Sequence, residues 1–230
     1  MKYPEDFINK IIQGDYLEIM KEMPDKCVDL VLTDPPYNFK SQGGGLFKKR
    51  GNLQRIEDSF GTDFKPEQLL NEVERITKSM HGYFWCSKAI VRNYLNWAQD
   101  REYGFNILTW HKSNPIPANN NNFLPDTEYC IFIRGKGTTF NQGLPFNNYT
   151  KYTITSLEKR DDHPTPKPLD LITKYMKISS KENDLILDPF LGSGTTAVAC
   201  KNLKRNFIGI EINPDYCEIA QKRLAQQLLL

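Results

Sequence analysis

One short stretch, residues 28–38, restricts the possible folds more than any other part of the chain. It reads VDLVLTDPPYN and begins with a nearly continuous apolar run. Such a run is typical of a strand that is buried on both faces of a parallel sheet. The prolines of Asp34-Pro35-Pro36-Tyr37 cannot continue a strand, so the chain must leave the sheet at its carboxyl edge. Ligands bind at that edge in open parallel sheets, although these four residues are equally typical of an ordinary turn.

The length of 230 residues suits one α/β domain, and an apolar content of 39% is ample for a single core. No apolar run approaches the roughly 18 residues that span a bilayer, so we expect no membrane partner. The first residues lack the apolar segment of a signal peptide, which predicts a cytoplasmic protein. The scattered cysteines predict reduced core thiols rather than a zinc site or disulfides: Cys27, Cys86, Cys130, Cys200 and Cys217.

Apolar periodicity predicts strands that alternate with helices, as in a parallel sheet covered on both faces. The other predicted strands are 7–13, 82–86, 105–110, 129–134, 184–188 and 206–211. The predicted helices are 16–23, 66–80, 89–98, one that follows Pro168, 197–200 and 214–229. Because no repeat or second domain is visible, residues 1–230 are predicted to form one domain.

Two segments between these elements have the composition of surfaces that meet nucleic acid. Residues 38–63 hold three successive glycines and the cations Lys48, Lys49 and Arg50, which predicts a mobile loop that contacts substrate. Residues 135–162 mix cations with aromatic side chains, which suits a surface that meets nucleic acid. Inert solvated loops would have a similar composition.

A glycine loop follows the predicted strand 184–188. Residues 190–196 read FLGSGTT, with Gly192 and Gly194 in alternate positions before a helix of small residues. Glycines let the backbone approach a ligand closely, and the N–H groups of a helix start can bind it. Glu211 ends a strand about twenty residues later, where nucleotide sites place an acid that binds ribose. Asp15 also lies between a predicted strand and a predicted helix. It is a candidate for the same site, and the alternative is that it only caps the helix.

These motifs together resemble the S-adenosylmethionine-dependent amino-methyltransferases of DNA. The resemblance rests on DPPY at 34–37, HPTPKP at 163–168, FLGSG at 190–194 and GIEIN at 209–213. The catalytic motif precedes the cofactor loop, which is the permuted order of the beta class. The resemblance implies a Rossmann-like methyltransferase fold of the α/β class: a mostly parallel, twisted sheet with helices on both faces. It also implies S-adenosyl-L-methionine as the cofactor and no metal. In the family, the segment at residues 135–162 holds the target-recognition region, so the resemblance implies a short target-recognition insert there.

The resemblance assigns three groups of site residues. The catalytic residues are Asp34, Pro35, Pro36 and Tyr37. The cofactor-binding residues are Asp15, His163, Thr165, Lys167, Asp188, Phe190, Gly192, Ser193, Gly194, Thr195, Glu211 and Asn213. The cations expected to bind DNA are Lys48, Lys49, Arg50, Lys136, Lys151 and Arg160.

The implied activity is transfer of a methyl group to N6 of a flipped adenine in double-stranded DNA. Asp34 favours adenine, because family members that read SPPY in this order act mainly on cytosine. Cytosine N4 in DNA and a base in RNA remain alternatives. The candidate protein partners are a second copy of the chain and a cognate restriction endonuclease of a restriction-modification system.

Two other classes of protein are alternatives to a methyltransferase. A non-catalytic DNA-binding relic would have lost some motif acids and glycines, yet all are present. A nicotinamide dehydrogenase would use the glycine loop and Glu211, but the glycine spacing is too short for that motif. It would also leave residues 34–37 unexplained.

Overall fold

A sheet of eight strands lies at the centre of the computed structural model, which describes residues 1–36, 64–113, 123–124, 126–143, 149–152 and 167–226. The strands are β1 (Lys10–Gln13), β2 (Leu30–Thr33), β3 (His81–Cys86), β4 (Gly104–Lys112), β5 (Thr127–Arg134), β6 (Tyr149–Tyr152), β7 (Leu185–Asp188) and β8 (Asn206–Glu211). The helices are α1 (Tyr16–Lys21), α2 (Pro66–Ile76), α3 (Val91–Asp100), α4 (Leu169–Ser179), α5 (Thr195–Asn202) and α6 (Pro214–Gln226).

The order of the strands creates a place for a ligand. Across the sheet they run β1-β8-β7-β2-β3-β5-β4-β6, and the first five are mutually parallel. β5 is antiparallel to both of its neighbours, and β6 is parallel to β4. The strand that follows β7 in the chain lies on one side, and the strand that follows β2 lies on the other. The gap between β2 and β7 is therefore a topological switch point, where α/β sheets bind ligands.

The helices cover both faces of the sheet and form a core on each. α1, α2 and α3 pack on one face, and α4 and α5 pack on the other together with Ala220 of α6. β2 and β7 are buried along their whole length, as their apolar runs predict. This mostly parallel sheet between helices confirms the predicted fold class.

In the described part of the chain, three differences from the sequence prediction exceed two residues. The strand predicted from residue 7 begins at Lys10, and Phe7 is instead buried in the preceding turn. The helix predicted to reach residue 80 ends at Ile76, because Thr77 is extended and its hydroxyl donates back to the Val73 carbonyl. β6 was not predicted, since residues 135–162 show no alternation of apolar and polar side chains.

Four of the five cysteines are buried, and none of the five is in a disulfide. Across the described ranges, none of the helices combines the length and the apolar character needed to cross a membrane. The same ranges contain no cluster of three His, Cys, Asp or Glu side chains that could hold a metal ion.

Candidate active site

A hydrogen bond joins the carboxyl ends of β2 and β7 at the switch point. Thr33 Oγ1, from the last residue of β2, donates to Asp188 Oδ1 at 2.8 Å. The Phe190 backbone N–H donates to the same oxygen at 3.1 Å. Burial raises the pKa of Asp188 to about 7. Asp188, which the resemblance assigns to the cofactor, thus ties the glycine loop to the strand that ends beside Asp34.

Asp34 begins a row of four side chains with alternating charge. It lies half-buried directly after β2, where Lys167 Nζ donates to its Oδ2. Lys167, just before α4, also lies 3.2 Å from Glu128 Oε2 on β5. Lys112 Nζ, at the end of β4, lies 2.5 Å from the other oxygen of Glu128. We call Lys112, Glu128, Lys167 and Asp34 the charged row.

The electrostatics of the charged row keep its two central members ionised. Burial favours the neutral amine of Lys167, but the carboxylates of Asp34 and Glu128 outweigh it and raise the pKa of Lys167. Burial favours the protonated acid of Glu128, but Lys167 and Lys112 outweigh it and lower the pKa of Glu128. The Trp85 ring lies beneath this pair, with its centroid 5.2 Å from Lys167 Nζ.

The glycine loop after β7 is held by main-chain hydrogen bonds to Glu211. Gly192 N–H donates to Glu211 Oε2 and Asn213 N–H donates to Oε1, each at 2.8 Å. Burial raises the pKa of Glu211, partly offset by these donors. Both glycines have a positive φ, 54° at Gly192 and 85° at Gly194, which favours glycine. A carboxylate has about four acceptor positions, so Glu211 retains capacity for ribose hydroxyls.

Arg223 of α6 supports the same loop from behind. Its Nη1 donates to the Ser193 carbonyl at 2.7 Å, to Ser193 Oγ at 2.8 Å and to Thr195 Oγ1 at 3.3 Å. The side chains of Ser193 and Thr195, which the resemblance assigns to the cofactor, therefore already have a partner inside the protein. α5 begins at Thr195 without a side-chain cap, which leaves its first N–H groups to the loop side.

Three aromatic rings meet beside the glycine loop. The centroid of the Phe190 ring lies 4.6 Å from that of Tyr16 and 5.7 Å from that of Phe64, the latter edge-on. Burial raises the pKa of Tyr16 to about 12, so its hydroxyl stays neutral. Asp15 caps α1, since its Oδ1 accepts from Leu17 N–H at 2.9 Å and from Glu18 N–H at 3.1 Å.

These features fit S-adenosylmethionine. The aromatic rings beside Phe190 suit an adenine, and Glu211 is an acid at the end of β8, the position that binds ribose in nucleotide-type sites. The positive-φ glycines and the uncapped start of α5 offer backbone groups to the rest of the molecule. The side chain of Asn213, which the resemblance assigns to the cofactor, has a structural role. Its Oδ1 accepts a hydrogen bond from the Asp215 N–H at 2.8 Å and caps α6.

The structure brings some of the predicted site residues together and separates one. Asp34, Pro35, Pro36, Lys167, Asp188, Phe190 and the glycine loop share the carboxyl edge of the sheet. The backbone of Lys151 pairs with His111 near the same edge. Lys136 follows β5 at the opposite edge, where Arg134 pairs with His81, so it is not near Asp34. Outside the described residues lie Tyr37, Lys48, Lys49, Arg50, Arg160, His163 and Thr165.

Sequence reasoning missed Glu128, Lys112 and Arg223. Glu128 and Lys112 belong to antiparallel strands that meet the site only through non-local pairing. The available signal was an acidic residue, Glu128, beside the apolar run of the strand TEYCIFIR. Arg223 lies on a helix among other polar residues and carries no such signal.

Known proteins resemble this chain in sequence and in fold. A family model described as DNA methylase matches residues 28–222. The type II methyltransferase M.HinfI of Haemophilus influenzae is 32% identical, over 96% of this chain and 69% of that protein. The crystal structure of the M1.HpyAVI-SAM complex is 30% identical, with a TM-score of 0.68 over 93% of this chain and 98% of the other.

A more distant structure has the same fold. The cytosine-N4-specific PvuII DNA methyltransferase is 16% identical, with a TM-score of 0.72 over 93% of this chain and 85% of that one, and shows the fold alone. The family match covers the strand before Asp34, the glycine loop and Glu211. The chain therefore belongs to the DNA methylase family and is an S-adenosylmethionine-dependent DNA methyltransferase.

Proposed function

We propose that the chain methylates N6 of adenine in duplex DNA. The observation that carries the proposal is the Thr33–Asp188 hydrogen bond of 2.8 Å, which sets the loop of Asp34 beside the glycine loop. A carboxylate acceptor for the target amine and a cradle for the methyl donor thus share one cleft. The choice of adenine rests on Asp34, because DPPY in this motif order resembles adenine-specific members of the family.

Asp34 and Pro35 prepare the amine for reaction. An exocyclic amino nitrogen is a poor nucleophile, since its lone pair is delocalised into the base. Asp34 and the Pro35 carbonyl each accept one N–H hydrogen bond, which draws the nitrogen toward tetrahedral geometry and aims its lone pair. When bound, S-adenosylmethionine supplies an electrophilic methyl group on a sulfonium. Positioning and electrostatics account for the catalysis, without a covalent enzyme intermediate.

The target base must leave the duplex to reach Asp34. Flipping costs a few kcal/mol, and stacking on one aromatic ring returns about 1–3 kcal/mol. Tyr37 is the proposed stacking partner, and cations supply the remaining free energy through phosphate contacts. The proposed cations are Lys48, Lys49, Arg50, Lys151 and Arg160. Lys136 is omitted because it lies at the opposite edge of the sheet.

The proposal is tested by transfer of labelled methyl groups to unmethylated duplex DNA. We expect wild-type protein to yield N6-methyladenine on digestion, and Asp34→Ala to lose at least about a hundredfold in rate while still binding S-adenosylmethionine. N4-methylcytosine in the digest would keep Asp34 in its role and overturn the choice of base. Label that enters RNA but not duplex DNA would overturn the proposed substrate.

The remaining assignments are also proposals. Residues 1–230 act as one catalytic domain, with residues 38–63 and 135–162 as the DNA-contacting segments. The name of M.HinfI as a type II methyltransferase supports a place in restriction-modification beside a cognate endonuclease, acting on DNA in the cytoplasm. A homodimer would enlarge the DNA surface. Gel filtration at micromolar protein concentration measures the mass in solution. A mass that matches the monomer contradicts the homodimer.

A further inference from the structure

We propose that Glu128 is a positioning residue for methyl transfer: it holds Lys167 against Asp34, and Lys112 balances the charge of Glu128. The inference rests on the amino-methyltransferase activity of the family and holds for either base. Neither Glu128 nor Lys112 belongs to the motifs that carry the resemblance.

The first argument is geometric. Glu128 lies between two cations, 2.5 Å from Lys112 Nζ and 3.2 Å from Lys167 Nζ. Among the described residues, no well-aligned hydrogen bond reaches Glu128 Oε2. The ammonium of Lys167 therefore offsets the charge on this oxygen. The same ammonium donates to Asp34 Oδ2, so the position of Glu128 sets that of the group beside the catalytic carboxylate.

The second argument is charge balance. Two cations and two carboxylates give the charged row a formal net charge of zero. Its inner members are shielded from water, since the side chains of Lys167 and Glu128 are 9% and 19% exposed. Without Glu128, the charged row would hold two poorly solvated cations, Lys112 and Lys167, and a single carboxylate, Asp34. Lys167 would then either bind Asp34 more closely, in competition with the target amine, or lose its proton.

The groups that face Lys167 define what a titration would report. In the part of the chain that the structure describes, they are Asp34, Glu128 and Cys130. Lys112 lies beyond Glu128, and Asp188 and Cys86 interact with Asp34. Burial raises the pKa of Cys130 well above its usual range, so this thiol stays neutral. Asp188, with a pKa of about 7, is ionised above about pH 8. A change of charge within the cluster above that pH would therefore report Lys167.

The test compares Glu128→Gln with wild type in methyl transfer to duplex DNA from pH 6.5 to about 9.5. We expect kcat to fall about tenfold to a hundredfold, with KM for DNA and cofactor within about twofold. We also expect activity to decline on the basic side, where wild type stays level, because Lys167 now loses its proton. The tryptophan emission should change with the same midpoint, since Trp85 and Trp110 lie about 5 Å from the two ammonium groups.

Two further variants separate positioning from structural damage. Lys112→Met combined with Glu128→Gln restores a net charge of zero without restoring the carboxylate that holds Lys167. We therefore expect it to regain the level basic side while its kcat stays low. Glu72→Gln is the matched control, because Glu72 is 22% exposed and pairs with Arg75 at 2.8 Å on α2, remote from Asp34. We expect it to behave as wild type.

Each result decides the inference. A Glu128→Gln enzyme with the wild-type pH profile and kcat overturns it. So does a double variant that regains the wild-type kcat, or one that still loses activity on the basic side. The second readout needs only the double variant to fold. Wild-type protein that transfers no methyl group would instead overturn the enzymatic activity, which keeps the two failures distinct.

Discussion

Ionisation of the Asp188 carboxyl group lowers the stability of the folded protein. It is 5% exposed, and the pKa rises from an ordinary 3.8 to about 7 because of burial. Thr33 Oγ1 and the Phe190 N–H both donate to Oδ1, and these bonds need only an oxygen acceptor, not a charge. At neutral pH the residue thus joins two loops of the active site at some expense of stability.

The pH dependence of stability follows from this shift. Between about pH 4 and pH 7 folded Asp188 retains a proton that the unfolded chain releases, so its contribution to stability falls as pH rises and is constant above that window. Asp188→Asn keeps the acceptor and removes the titration. We expect the variant to gain about 2–3 kcal/mol relative to wild type between pH 5 and pH 8, measured by urea unfolding. A difference that does not change with pH would contradict this account.

At the scale of elements, the start of α5 packs directly on α6. Gly194 has a φ of 85°, and a Cβ there would lie 2.8 Å from Ala220 Cβ and 3.1 Å from its Cα. The glycine is therefore required by helix packing as well as by its backbone conformation. This requirement differs from the close approach of a ligand that the motif suggests.

Gly194→Ala should reveal both costs. We expect a loss of about 1–2 kcal/mol from the left-handed backbone and about 1–3 kcal/mol from overpacking against Ala220. Adding Ala220→Gly removes the second cost alone, so the double variant should be more stable than the sum of the single changes. Thermal and urea unfolding measure both, and strictly additive changes would mean that Ala220 does not limit this position.

At the scale of the whole molecule, a net charge of +2 leaves DNA affinity to local groups of cations. Each neutralised phosphate contributes about −0.9 to the slope of log affinity against log salt. Changing Lys48, Lys49 and Arg50 together to Gln should therefore make the slope about 3 units shallower, with cofactor affinity unchanged. Anisotropy of labelled duplex between 50 and 200 mM salt measures it, since this range gives a resolvable change.

Lys136→Gln is the matched control for this titration. Lys136 is exposed like the loop cations are expected to be, but it lies at the sheet edge opposite Asp34. We expect its slope to equal that of wild type. A slope about 1 unit shallower in this single variant would assign the salt dependence to general charge and not to residues 48–50.

The sequence was sufficient where the signal is local. A buried run that ends in Asp34-Pro35 and a strand that enters Gly192 and Gly194 each specify strand, turn and ligand edge within about ten residues. Glu128 could not be found this way, because it reaches Lys167 through strand pairing between distant segments. Lys167 was identified by resemblance, but its contact with Asp34 depends on the packing of α4 against the sheet.

The order of the strands has a consequence for how such a chain can be connected. The loops of Asp34 and Gly192 are neighbours only because β2 and β7 are adjacent in the sheet. The chemistry of the cleft does not require either strand to come first in the sequence. α6 packs against β1, so the last and first described elements lie side by side. A chain joined there and opened in the turn before β7 would present the cofactor motif first and the catalytic motif second. The same cleft is therefore compatible with either reading order of its motifs, and a family built on it is free to be circularly permuted.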